Sequence, residues 1–103
     1  MDRHTVIDEP VRLDVWLWRA RFFKTRALAA GFVSGKGVRL TRNGDTRKVG
    51  KPGYRLATGD IVSFPLKAQI VTIRVLSAGT RRGPATEART LYESLEDGDK
   101  GEA

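Results

Sequence analysis

The chain has no cysteine, one histidine and one methionine among its 103 residues. Without thiols there is no disulfide framework and no thiolate metal site. His4 stands in a polar segment beside Asp2 and Arg3, where a disordered residue is expected rather than a general base or a ligand. No uninterrupted apolar run reaches ten residues, so no transmembrane helix is expected. The opening Met1-Asp2-Arg3-His4 lacks the apolar stretch of a secretory signal. These absences lead to the expectation of a soluble, cytoplasmic protein with no membrane partner.

Negative charge is scarce where it matters. Between residues 12 and 82 the carboxylates are Asp14, Asp45 and Asp60, against sixteen lysines and arginines, a balance of +13. Residues 1–11 carry −2 and residues 83–103 carry −4, so the overall +7 and the pI near 10.4 hide a basic band between acidic ends. One sign over seventy residues opposes compaction by self-repulsion unless an anion is usually bound. The charge alone points to nucleic acid, RNA or DNA, or to an anionic membrane surface, with nucleic acid favoured. The length suits one domain with a packed part of roughly seventy residues, too small for a deep cleft between lobes.

Apolar spacing supplies the elements. Leu13, Trp16, Leu17 and Ala20 recur at helical intervals, which predicts a first helix running from about Val11 to Phe23. On that helix Arg12, Arg19 and Phe23 share one side and Arg21 lies near Asp14. Thr25 is an N-cap for a second short helix, stopped by Ser34-Gly35-Lys36-Gly37. Beyond it Val38–Arg42 alternates, Asn43-Gly44 is a hairpin signal and Thr46–Val49 returns. Ile61–Phe64 and Gln69–Leu76 read as further strands. Residues 77–83 read as a flexible basic loop, and Pro84 opens a helix with Ala85, Ala88, Leu91, Tyr92 and Leu95 on one side. The expected fold class is α+β: a small single domain with two short helices packed on an antiparallel sheet, plus a C-terminal helix.

The ordered set Arg12-Leu13-Asp14, Trp16-Leu17-Trp18, Ala20-Arg21-Phe22, Lys24-Thr25-Arg26-Ala27, Gly35, Val38, Asn43-Gly44, Lys51-Pro52 and Gly59-Asp60 resembles the RNA-binding domain named for small-subunit ribosomal protein S-four, the αL motif. With Arg82-Gly83-Pro84-Ala85, Glu87-Ala88 and Leu91-Tyr92-Glu93, the pattern is similar to the ribosome-associated heat-shock protein fifteen family. The resemblance spans residues 11 to about 95. It departs in two places. Val38–Arg42 is longer than the short approach to Asn-Gly in many members, and an acidic Glu96-Asp97-Gly98-Asp99 stands where some members carry a basic extension.

The resemblance implies RNA binding without chemistry, with ribosomal RNA and the free large (50S) ribosomal subunit as partners. It also implies recycling or rescue of subunits that carry peptidyl-tRNA under heat or translation stress, peptidyl-tRNA being a further partner. Taken with the residue pattern, the expected division is a polar tail (1–10), an S-four-type domain (11–76), a basic loop and C-terminal helix (77–97) and a disordered acidic tail (98–103). Nothing demands more than a monomer. Two alternatives stay open: the module could act with an RNA-modifying enzyme, or bind nucleic acids generally, DNA included.

The candidate RNA-binding residues follow from charge at element ends. Arg12, Lys24, Thr25 and Arg26 cluster at the ends of the two helices, with Arg19 and Arg21 along the first. Thr25 reads first as a structural cap, though its hydroxyl can also meet a phosphate. Arg26 sits at the positive end of its helix, where a bound phosphate offsets the unfavourable placement of a cation. Lys36, Arg39, Arg42, Lys48, Lys51 and Arg55 extend the patch into a strip, each alone an ordinary solvated charge. Phe23 is kept as a base-stacking candidate, whereas Trp16 belongs to the core stripe. Asp14 reads as a helix-start residue, and Asp45 and Asp60 as turn residues. The chain shows no nucleophile-base arrangement, no metal-ligand cluster and no phosphate loop, so no enzyme activity, metal or cofactor is expected.

Overall fold

A two-residue strand, β1 (Val11–Arg12), runs straight into helix α1 (Leu13–Arg19) in the computed structural model, which describes residues 10–95. The expectations for the first nine residues, His4 and the acidic end from Glu96 onward lie outside those residues. Leu13, Trp16, Leu17 and Ala20 are buried as their spacing predicts. The helix stops four residues earlier than expected, and the backbone shows why. Arg21 N–H donates to Trp18 O at 3.0 Å and Phe22 N–H to Leu17 O at 3.0 Å, with Arg21 itself at φ 67°. That is a Schellman motif whose left-handed position, usually glycine, is an arginine. Arg12, Arg19 and Phe23 therefore do not share a helix side.

Thr25 caps α2 (Arg26–Gly35) by accepting Leu28 N–H at 3.0 Å. Ala29 and Val33 of α2 pack inward. Next come β2 (Val38–Arg42), β3 (Asp45–Val49), β4 (Arg55–Leu56), β5 (Ile61–Leu66) and β6 (Gln69–Val75). The β2–β3 hairpin turns on Asn43 and Gly44, both at positive φ as its Asn-Gly signal requires. β5, central in the five-stranded antiparallel sheet of order β3-β2-β5-β6-β7, where β7 is Tyr92–Ser94, turns Val62 and Phe64 inward, and a separate pair joins β1 to β4.

The C-terminal helix is one turn long. Helix α3 (Ala85–Ala88) passes through a 3-10 turn (Arg89–Leu91) into strand β7 (Tyr92–Ser94). Ala88 and Leu91 bury as the helical spacing suggests, but Tyr92–Ser94 pairs with the open edge of β6, whose backbone groups need partners. The loop before it is fastened: Trp16 Nε1 donates to Ser77 O at 2.8 Å and Arg19 Nη1 to Gly79 O at 2.9 Å. One core joins α1, α2, the inner sheet face, Leu56 and Leu91.

Candidate nucleic-acid interface

The antiparallel pair β1–β4 sets Arg12 directly opposite Arg55. Above it, the loop from Lys51 to Tyr54 closes on the start of α1: Leu13 N–H donates to Tyr54 O at 2.8 Å and Asp14 N–H to Pro52 O at 3.0 Å. The first N–H donors of α1 are thus consumed by backbone, and α2 is the helix whose positive end can face a phosphate. Arg12, still extended just before α1, lays its guanidinium on the Asp14 carboxylate through Nε at 3.0 Å and Nη2 at 3.1 Å. Burial pushes the Asp14 carboxyl up. The Arg12 and Val15 N–H bonds and the charges of Arg12 and Arg26 outweigh that and hold it below the usual carboxylate range. Arg26, at the start of α2, therefore shares the neighbourhood of Arg12 and Asp14. Lys24, Thr25, Arg26, Lys51 and Arg55 are exposed. The result is a cationic rim at the N-terminal end of α2 whose nearby carboxylate is bound to Arg12.

The other expected residues go elsewhere. Arg42 is turned into the protein, where Nε and Nη2 bind the Asp60 carboxylate at 2.8 and 2.7 Å and Nη2 also donates to Arg55 O at 3.0 Å. Its guanidinium lies 5.5 Å from the Tyr54 ring centre. It is a brace beneath the rim. Arg19 donates to the carbonyls of Ala78 and Gly79, and Arg21 Nε to Gly83 O at 2.7 Å. Arg21 does not pair with Asp14, because α1 ends before it and its guanidinium is held by Gly83 O. Phe23, expected on a cationic side, is half-buried with its ring 5.2 Å from Phe32 and 6.2 Å from Phe64. Its ring packs against the core cluster. Lys36, Arg39 and Lys48 meet at the far end of α2, bordering an open groove with Ser63, Pro65 and Ile70.

Arg82 is the side chain that sequence reasoning passed over. It donates from Nε to Trp18 O at 3.0 Å and lies 6.0 Å from the Trp18 ring centre, closing the end of α1. Its signal was present in the Arg82-Gly83-Pro84 run. Among the described residues, no group of three or more histidine, cysteine, aspartate or glutamate side chains could hold a metal ion, and no helix is long and apolar enough to cross a membrane.

Comparison with known proteins agrees with this architecture. Residues 11–62 match the S4 domain. A solved trimeric structure of Vibrio cholerae heat shock protein 15 superposes with a TM-score of 0.72 at 36% identity, covering 85% of this chain and 84% of that one. The chain belongs to the heat shock protein 15 family of S4-domain proteins. Heat shock protein 15 of Escherichia coli K12 is 41% identical over 83 residues, 81% of this chain and 59% of that protein. The Aeromonas salmonicida homologue of heat shock protein 15 is 38% identical over 86 residues, 84% of this chain and 61% of its own length. The chain thus spans about three fifths of the length of these curated relatives. Within the S4 match fall both ends of the rim, from Arg12 to Arg55, and the Arg42–Asp60 brace. The heat shock protein 15 likeness extends past it, over the fastened C-terminal segment.

Proposed function

We propose that this protein binds ribosomal RNA without catalysing a reaction, on the free large ribosomal subunit in the cytoplasm. In this reading it acts in recycling or rescue of subunits that carry peptidyl-tRNA under heat or translation stress. The observation that carries the reading is the rim at the N-terminal end of α2. Arg12 and Arg55 face each other across β1–β4 and Arg26 joins them around a single engaged carboxylate, Asp14. Like charges held opposite each other are destabilising in isolation, and a phosphate backbone laid across them offsets that repulsion. The positive end of α2 adds its dipole to the same place.

Lys24, Thr25 and Lys51 complete the proposed contact. Phosphates meeting such a rim are positioned rather than read, so recognition of structured RNA by shape is the expected mode. In this reading residues 11–76 carry the contact, and residues 77–83 brace α1 and the turn that ends it. The chain is read as acting singly, and size-exclusion chromatography distinguishes that from a trimer like the Vibrio cholerae structure. Sedimentation of the tagged protein through a ribosome gradient, with and without heat stress, tests the function. Co-migration with free large subunits supports it, and absence from every ribosomal fraction contradicts it.

A further inference from the structure

The outer face of the five-stranded sheet carries two cross-strand charge pairs of opposite logic. Arg74 of β6 stands opposite Glu93 of β7, and the two form an ion pair at 2.7 Å. On the same face Arg39 of β2 stands opposite Lys48 of β3, two cations at a directly paired position. Such a pair is destabilising unless something negative lies between or above it. Among the described residues no ion pair reaches Lys36, Arg39 or Lys48, and all three are exposed.

The arrangement has a backbone basis. Gly37 is buried at φ +79°, and a Cβ there would stand 2.9 Å from Lys48 Cε and 3.1 Å from Val49 O. The aliphatic stem of Lys48 therefore lies across the one residue type that leaves room for it. Lys36 precedes that glycine as the C-cap of α2. Lys36, Arg39 and Lys48 thus border one open groove of about 500 Å³. Its remaining wall includes Ser63, Pro65 and Ile70, the last 60% exposed.

We propose that this groove is a second phosphodiester-binding surface, which holds the backbone of an RNA strand that also crosses the rim at the other end of α2. The inference rests on the RNA-binding reading above. The ten residues of α2 set Arg26, at its start, about 15 Å along the axis from Lys36, at its end. A polynucleotide strand bridges such a span in a few phosphodiester steps, and an isolated anion does not. Three cations with no ion pair among the described residues set the charge complementarity, and exposed Ile70 and Pro65 offer an apolar wall to a ribose or base face. The protein becomes a two-point clamp on RNA rather than a single patch.

The test measures binding of the full chain to a 24-nucleotide RNA stem-loop by fluorescence anisotropy over a series of salt concentrations. Three proteins are compared: the parent, Arg26→Gln, and the triple variant Lys36→Gln, Arg39→Gln, Lys48→Gln. The triple variant is expected to bind about tenfold more weakly, with a plot of log K against log salt shallower by about 2. Its thermal midpoint should match or exceed the parent's, because the like-charge pair is gone. If the triple variant fails to fold, Arg39→Gln alone is measured, with an expected loss of about threefold. Unchanged affinity and slope, while Arg26→Gln weakens binding, overturns the groove and leaves the rim intact. Failure of the parent to bind overturns both. Unchanged RNA binding with loss of a hexaglutamate peptide that the parent retains assigns the groove to an acidic polypeptide and overturns the proposal.

Discussion

The Asp60 carboxylate, 2% exposed, is held by the Arg42 guanidinium through two hydrogen bonds of 2.8 and 2.7 Å, and it also accepts Ala57 N–H at 2.8 Å. Arg42 stays partly in water, with 40% of its side chain exposed. Removing Arg42 strands a buried negative charge, whereas removing both partners does not. Arg42→Ala is expected to destabilise the fold by about 2 kcal/mol, below the usual range for a broken buried pair because solvent still reaches the arginine. Denaturant unfolding of Arg42→Ala, Asp60→Asn and the double variant checks it. Additive losses would show that the two residues do not act as a pair.

Arg21 takes the left-handed place that ends α1 and is held there by its bond to Gly83 O. Glycine relieves the backbone but forfeits the bond, and these effects are each about 1 kcal/mol and opposite in sign. Arg21→Gly is therefore expected to be near neutral in stability, and Arg21→Ala to lose about 1 kcal/mol. Thermal denaturation of the two variants side by side decides it, and equal losses would remove the role assigned to backbone strain.

The depressed Asp14 carboxyl gives a pH dependence of definite sign. Its folded-state value lies below its unfolded value, so the stability it contributes is present above the ordinary aspartate value of about 4 and is lost as pH falls through the folded value. Urea unfolding of the parent from pH 6 down to pH 2 should show this acid limb, and Asp14→Asn should flatten part of it. An identical acid limb in the variant would mean that other carboxylates carry the whole effect.

Arg19 and Phe23 separate structural residues from RNA contacts. Arg19 holds the carbonyls of Ala78 and Gly79, and the half-buried Phe23 packs against the core beside Phe32. Arg19→Gln is expected to lose about 1 kcal/mol of stability, and Phe23→Ala about 2 kcal/mol, below the range for a fully buried aromatic because the ring is half-buried. RNA affinity well below the unfolding temperature should stay within about twofold of the parent, since neither removes a phosphate contact. A large loss of affinity with intact folding would return either residue to the interface.

Local chemistry made part of this molecule readable in its sequence. Thr25 and Asn43-Gly44 act through their own backbone, so the start of α2 and the β2–β3 hairpin stand where expected. The end of α1 was hidden because arginine fills a glycine's position. β7 was hidden because Ala88, Leu91 and Tyr92 fit a helical period as well as a turn and an edge strand, and only the open side of β6 decides between them. The two-residue β1 and β4 are too short for any period. Within the candidate site, charge located the basic band, but which arginines face solvent depends on partners eighteen to sixty residues away, such as Asp60 for Arg42 and Gly79 for Arg19. No spacing rule contains those pairings.

The central claim is that the cationic rim around Arg26 meets RNA phosphates, and Arg26→Gln tests it most directly, because Arg26 is exposed at a helix end and its side chain has no hydrogen bond or ion pair to lose among the described residues. Affinity for large-subunit ribosomal RNA fragments of differing sequence is measured across salt concentrations. The parent should show log K falling with log salt at a slope near −4, for about five neutralised phosphates, and Arg26→Gln should weaken all fragments alike with a slope shallower by about 1. A flat salt response in the parent, or loss of affinity for one sequence alone in the variant, would contradict the account.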